Sequence, residues 1–197
     1  MLRRDAAANR IRLLDAAERV FAQRGADASM EDIARAAGIG PATLYRRFGT
    51  KDALVQEVLA TFFGRLVELA GRALAEPPER CLDVYVETVG FELAAKRGFM
   101  HGMWGRLAPA ELVLELEVRT GRLLDRAKAG GGVDPQVTVG DIAAAVWALR
   151  GIIHTGEDVA PGAWRRHMTY VLAGFRAQVP QDTASLSPED VTRSVTR

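Results

Sequence analysis

Ser29-Met30-Glu31-Asp32-Ile33-Ala34-Arg35-Ala36-Ala37-Gly38-Ile39-Gly40-Pro41-Ala42-Thr43-Leu44-Tyr45-Arg46-Arg47-Phe48-Gly49-Thr50-Lys51-Asp52 is the stretch on which the reading of this chain turns. Ser29 is a natural N-cap, and Asp32, three residues on, can return a hydrogen bond as in a capping box. The helix it opens must be short, because Gly38 suits the left-handed conformation that closes a helix. Gly38-Ile39-Gly40 reads as a three-residue turn with Ile39 plugging into the core between two helices. Pro41 then sits where a first helical turn accepts it. Leu44 and Phe48, four apart, would face Ile33, Ala34 and Ala37 and hold the pair together. Two short helices joined by such a turn form a helix-turn-helix.

In that geometry the second helix enters the major groove of duplex DNA. Thr43 and Tyr45 offer hydroxyls to phosphate oxygens, while Arg46 and Arg47 can bond guanine bidentately or pair with phosphate. Thr50 would cap the next helix and put Lys51 at its N-terminus, where dipole, free N–H groups and ammonium together favour a phosphate. Ser29 could act likewise at the head of the first short helix, or be a cap and nothing more. The DNA-facing set is thus Ser29, Ala42, Thr43, Leu44, Tyr45, Arg46, Arg47 and Lys51. The competing reading of a basic cluster is a solvated helix face. Arg35, on the preceding helix, reads as solvated or bound to a nearby acid.

Around this stretch lies a chain of 197 residues, 48% hydrophobic, enough to bury a core without disulfides or metal. Its 26 Lys+Arg against 25 Asp+Glu leave a net charge of +1, so no global excess announces a partner. Residues 1–60 carry ten basic against eight acidic side chains, too small an excess to argue DNA binding alone. One cysteine, Cys81, excludes an internal disulfide, and His101, His154 and His167 have no metal-site spacing. No cofactor is expected. The longest apolar run, 142–149, is far short of the roughly 20 residues that span a bilayer. Charges scattered through the N-terminus leave no room for a secretory h-region, so the expectation is a cytoplasmic protein without a membrane partner. No nucleophile elbow, phosphate-binding glycine loop or paired histidine nucleophile suggests an enzyme.

Prolines at 41, 77, 78, 109, 135, 161, 180 and 188 interrupt no apolar stripe and read as element boundaries. Between them Ala, Leu, Arg and Glu predominate, which are strong helix formers. The expectation is an all-α fold of about nine helices: 5–24, 30–37, 41–48, 51–75, 78–96, 99–106, 109–129, 139–157 and 161–178. Leu114-Glu115-Leu116-Glu117-Val118-Arg119 alternates as a strand would, yet it follows a proline and meets no turn signal before Gly130, so it is read as helix. The divisions expected are a DNA-binding domain at 5–58, a ligand-binding and dimerisation domain at 59–178, and a flexible tail at 179–197.

The stretch 10–58 resembles the TetR family of bacterial transcriptional regulators. The matching residues are Leu14, Ala17, Phe21 and Gly25, then Ile33-Ala34 and Ala37-Gly38-Ile39, then Ala42-Thr43-Leu44-Tyr45, Phe48, Lys51 and Leu54. Arg47 departs from the pattern, standing where the family often carries an aromatic. The resemblance implies a homodimeric regulator, a repressor, that binds a palindromic operator in double-stranded DNA and is released by a small-molecule effector. It also implies that residues 60–197 form an all-helical domain that binds the effector and dimerises through a four-helix interface. The residues agree in part. Trp164, His167, Met168, Val171, Leu172 and Phe175 form one broad apolar face, and the preceding helix is apolar nearly all round. The candidate pocket residues are Tyr85, Glu92, Trp104, Trp147, Arg150 and His154, a mostly apolar set with a few polar groups. The alternative is a helical protein-binding adaptor, or a small-molecule-binding protein without operator function.

Overall fold

Local chemistry at the helix ends sets the frame. The computed structural model describes residues 2–96, 107–177, 185–187 and 190, and within these it is all-α. Helix α1, Leu2–Arg24, leads through a single 3-10 turn, Gly25–Asp27, into α2, Met30–Ala37, and α3, Pro41–Phe48. A long α4, Lys51–Ala73, follows, then α5, Pro78–Ala95, α6, Ala110–Ala129, α7, Val139–Gly156, and α8, Ala163–Gly174. These eight α-helices match the expected spans to within a few residues. The alternating stretch around Leu116 is helical, inside α6. The helix expected at 99–106 lies outside the described residues.

The last helix starts later than its proline suggests. Gly162 adopts φ 78°, a left-handed conformation that stops the chain from continuing as helix, and its N–H donates to both carboxylate oxygens of Glu157 at 3.2 Å. Helix α8 therefore begins at Ala163, two residues beyond Pro161. By contrast α7 begins where expected, because Thr138 and Asp141 form a reciprocal capping box.

Helix α4 is the spine. Leu54, Val58, Leu59, Phe62, Phe63, Leu66 and Ala70 are among its buried residues, so it is covered along its whole length. Its first half closes the three-helix head against Leu13, Leu14, Ala17 and Phe21 of α1, and its second half packs on α5 and α6. Helix α4 thus runs unbroken through the expected division at 58/59. One ion pair braces the head and a second ties it to the body. Arg10 of α1 holds Glu57 of α4 at 2.7 Å, and buried Glu18 of α1 meets Lys96 at the end of α5.

Most of the expected tail lies outside the described residues. Its described piece, 185–187, rests on the first turn of α7, where a Cβ on Gly140 would overlap the Leu186 carbonyl. No described helix is long and apolar enough to cross a membrane.

Candidate nucleic-acid interface and internal cavity

The turn between α2 and α3 is built from hydrogen bonds that the local sequence specifies. Gly38 sits at φ 69°, ψ 31°, a conformation that suits glycine, and its N–H reaches the carbonyl of Arg35 at 3.2 Å. The Ile39 N–H reaches the Ala34 carbonyl at 3.0 Å, completing a Schellman closure. Ile39 is half-buried against the core, and Pro41 occupies the first turn of α3. On the inner side of α3, Leu44 is fully buried and Phe48 packs partly into the same core.

Leu44 was expected among the DNA-facing residues, and its burial corrects that. It clamps α3 from behind and cannot reach a base or a phosphate. Ser29 serves as the cap of α2. Its N–H and its hydroxyl both donate to Asp32 Oδ2, at 3.3 and 2.7 Å, while its oxygen accepts from the Asp32 N–H at 3.1 Å. Both of its donors are engaged in the cap, so a phosphate would have to displace a carboxylate.

Asp32 is the hub of this corner. Arg24 bonds its Oδ2 at 2.7 Å and Arg35 its Oδ1 at 3.1 Å. The Ser29 hydroxyl first, then the Ser29 N–H and the two guanidinium groups, hold its carboxyl below the usual carboxylate range against an opposing desolvation. Arg35 is bound to a nearby acid.

The outer side of α3 carries Ala42, Thr43, Tyr45, Arg46 and Arg47, all exposed. The Tyr45 hydroxyl lies 3.4 Å from Glu31 Oε1, to which it can donate. The Arg47 guanidinium lies 5.7 Å from the Phe48 ring centroid, so it rests on that ring where the family often has an aromatic. Thr50 caps α4, its hydroxyl accepting from the Ala53 N–H at 3.1 Å, and Lys51 is the first helical residue behind it. The head thus exposes two hydroxyls and two guanidiniums on α3, and Lys51 stands at the N-terminus of the helix that follows. That combination suits a polyanion.

In the body, α4, α5, α6 and α7 line a half-open cavity of about 80 Å³. Its walls are apolar, with Phe63 and Leu66 from α4, Val89 from α5, Val113 from α6, and Ile142 and Val146 from α7. Of the expected pocket residues, Tyr85 and Trp147 line it, together with Thr120 and Glu117. The Thr120 hydroxyl lies 3.3 Å from the Tyr85 hydroxyl and 2.8 Å from the Leu116 carbonyl. Burial pushes the Tyr85 phenol above its ordinary range, with the Thr120 contact opposing, so it stays neutral.

The other candidates lie elsewhere. Glu92 faces Arg65 at 3.7 Å, and Arg150, whose pKa burial lowers, is outside the wall. His154 sits near the end of α7, on an open cleft shared with Asp15, Glu18, Lys96 and Asp158. Trp104 lies outside the described residues. Sequence reasoning missed the α4 wall, Phe63 and Leu66. Their spacing marks a buried helix but does not say what they face. Among the described residues no cluster of His, Cys, Asp and Glu could hold a metal.

Residues 13–58 match the family described as bacterial regulatory proteins, tetR family. The chain is similar to a TetR transcription regulatory protein from Mycobacterium vanbaalenii, 32% identical, with a TM-score of 0.65 over 90% of this chain and 100% of that one. An uncharacterised HTH-type transcriptional regulator of Mycobacterium tuberculosis is 43% identical over 75 residues, 36% of this chain and 37% of that protein. The HTH-type transcriptional repressor KstR2 of Rhodococcus jostii is 41% identical over 70 residues, 33% of this chain and 34% of that protein. The matches therefore span about a third of the length of these curated relatives.

Proposed function

The chain belongs to the TetR family of bacterial regulatory proteins, and on that premise we propose that it is a repressor whose homodimer binds a palindromic operator and lets go when a small molecule fills the cavity. It works by binding and not by catalysis, and it acts in the cytoplasm, where chromosomal DNA is within reach.

The observation that carries this reading is the division of α3 into two sides. Leu44 is buried, while Ala42, Thr43, Tyr45, Arg46 and Arg47 stand outside on an eight-residue helix that is short enough to enter a groove end-on. One such reader spans few base pairs, so a two-fold pair is needed to read half-sites a helical turn or more apart. The outward faces of α7 and α8 supply a surface for the pairing, with Ala148, Gly151 and Thr155 exposed on α7 and Tyr170 exposed on α8.

Release follows from the spine. Phe63 and Leu66 line the cavity while Lys51 starts the same helix beside α3. A cavity of about 80 Å³ is far below the roughly 300–1,000 Å³ of drug-sized ligand sites. An occupant must therefore move a wall, and moving α4 moves the head. A coupling of about 1–3 kcal/mol would weaken operator binding roughly 5- to 150-fold.

Footprinting on the DNA flanking the gene tests the proposal. Affinity should fall with salt at a slope of about −0.9 per neutralised phosphate in a log–log plot. Arg46→Ala and Arg47→Ala should each cost about 1–3 kcal/mol where the residue bonds a base bidentately. A flat salt response, or full binding by both variants, overturns it.

A further inference from the structure

We infer that the cavity between α4, α5, α6 and α7 takes a small neutral ring compound bearing one hydroxyl; the inference rests on the proposed role of that cavity as the effector site. Three observations carry it.

Size comes first. An apolar cavity of about 150 Å³ holds benzene, and this one measures about 80 Å³. A single ring is then the occupant that asks the smallest movement of the walls, α4 among them.

Charge comes second. None of the described residues lining the cavity is cationic, and the acid there, Glu117, already has a partner. Among the described residues an anionic ligand would find no counter-charge for the hydration it loses, and it would meet Glu117 besides. A cationic ligand would find no spare carboxylate.

Polarity comes third. Tyr85 and Thr120 bring two hydroxyls to an otherwise apolar wall, with Thr120 Oγ1 2.8 Å from the Leu116 carbonyl and 3.3 Å from the Tyr85 oxygen. Whichever way the two protons point, lone pairs on the Tyr85 oxygen are left over. A ligand hydroxyl can donate to one of them, and a ligand with no donor cannot.

Calorimetric titration of the full-length chain tests this with p-cresol, toluene, p-toluate and 4-methylbenzylamine, which share one ring and differ in polar group. Saturable binding of p-cresol is expected, with p-toluate and 4-methylbenzylamine at least about tenfold weaker on the penalty for burying an unpaired charge. Tyr85→Phe should weaken p-cresol about two- to tenfold, the worth of one hydrogen bond, and leave toluene unchanged. Ala143→Phe fills the cavity and should abolish p-cresol uptake; Val146→Phe serves the same end if the first variant does not fold. No p-cresol uptake, equal or better uptake of either charged probe, or undiminished uptake by a filled variant overturns the inference. The operator assay separates this from the regulator reading. DNA binding without p-cresol uptake sinks the ligand class alone, and p-cresol uptake without salt-sensitive DNA binding sinks the regulator alone.

Discussion

At the scale of single residues, this head is arranged by who bonds to whom. Ser29, Asp32, Arg24 and Arg35 form one connected group, and the carboxyl at its centre is held in its charged form. The sign of the pH effect follows. A carboxyl with a lowered folded pKa adds stability that is fully present above its unfolded value, about 3.9, and lost as pH falls through the folded one. Replacing Asp32 with Asn removes that charge-dependent part. Melting temperatures of the two proteins should differ most near neutral pH and converge as pH falls below about 4. A gap that stays constant down to acid pH would show that the carboxylate adds nothing through its charge. The cap itself was legible because Ser29 and Asp32 stand three apart in the chain. The engagement of both Ser29 donors by one carboxylate oxygen was not, since it depends on side-chain conformation.

At the scale of elements, helix ends were easier to read than helix faces. Helices α2 and α3 have the limits expected from the sequence, because caps, the left-handed glycine and the first-turn proline all act within a few bonds. Faces depend on neighbours. Gly90 of α5 lies directly beneath the buried Trp164 of α8, and a Cβ there would run into that ring and into the Met168 methyl at 3.0 Å. The Phe91 and Trp164 rings meet edge to face at 5.2 Å, with Arg165 stacked over Phe91 at 4.8 Å, so the ring has little freedom to retreat. Gly90→Ala should therefore destabilise the protein by about 1–3 kcal/mol, the usual effect of overpacking, despite the better helix propensity of alanine. Chemical denaturation reads the change. A neutral or stabilising result would mean that α8 shifts without penalty.

For the molecule as a unit, the outside of α7 and α8 is the face on which the proposed pairing depends. Ala148, Gly151 and Thr155 form a small-residue strip on α7, exposed in the single chain. In the proposed homodimer this strip meets its symmetry mate. Gly151→Arg puts a long charged side chain in the middle of the strip while favouring the helix itself, so the chain still folds. Sedimentation should then report a monomer where the native chain is a dimer, and operator binding should fall with it. A Gly151→Arg protein that stays dimeric would move the interface elsewhere.

The residues alone determined the all-α class, the two short helices around Gly38, the exposed side of α3 and the family they resemble, because these depend on groups a few positions apart. Tertiary structure decided which residues share the cavity. Phe63, Tyr85, Thr120 and Trp147 come from four helices, and no periodicity within one helix says which neighbour a stripe will face. Packing also moved Leu44 from the DNA side to the core, sent Glu92 to Arg65, and left His154 on a separate cleft. The reason is physical. A capping hydrogen bond is specified by the chain that carries it, whereas a cavity is the space that several close-packed helices fail to fill.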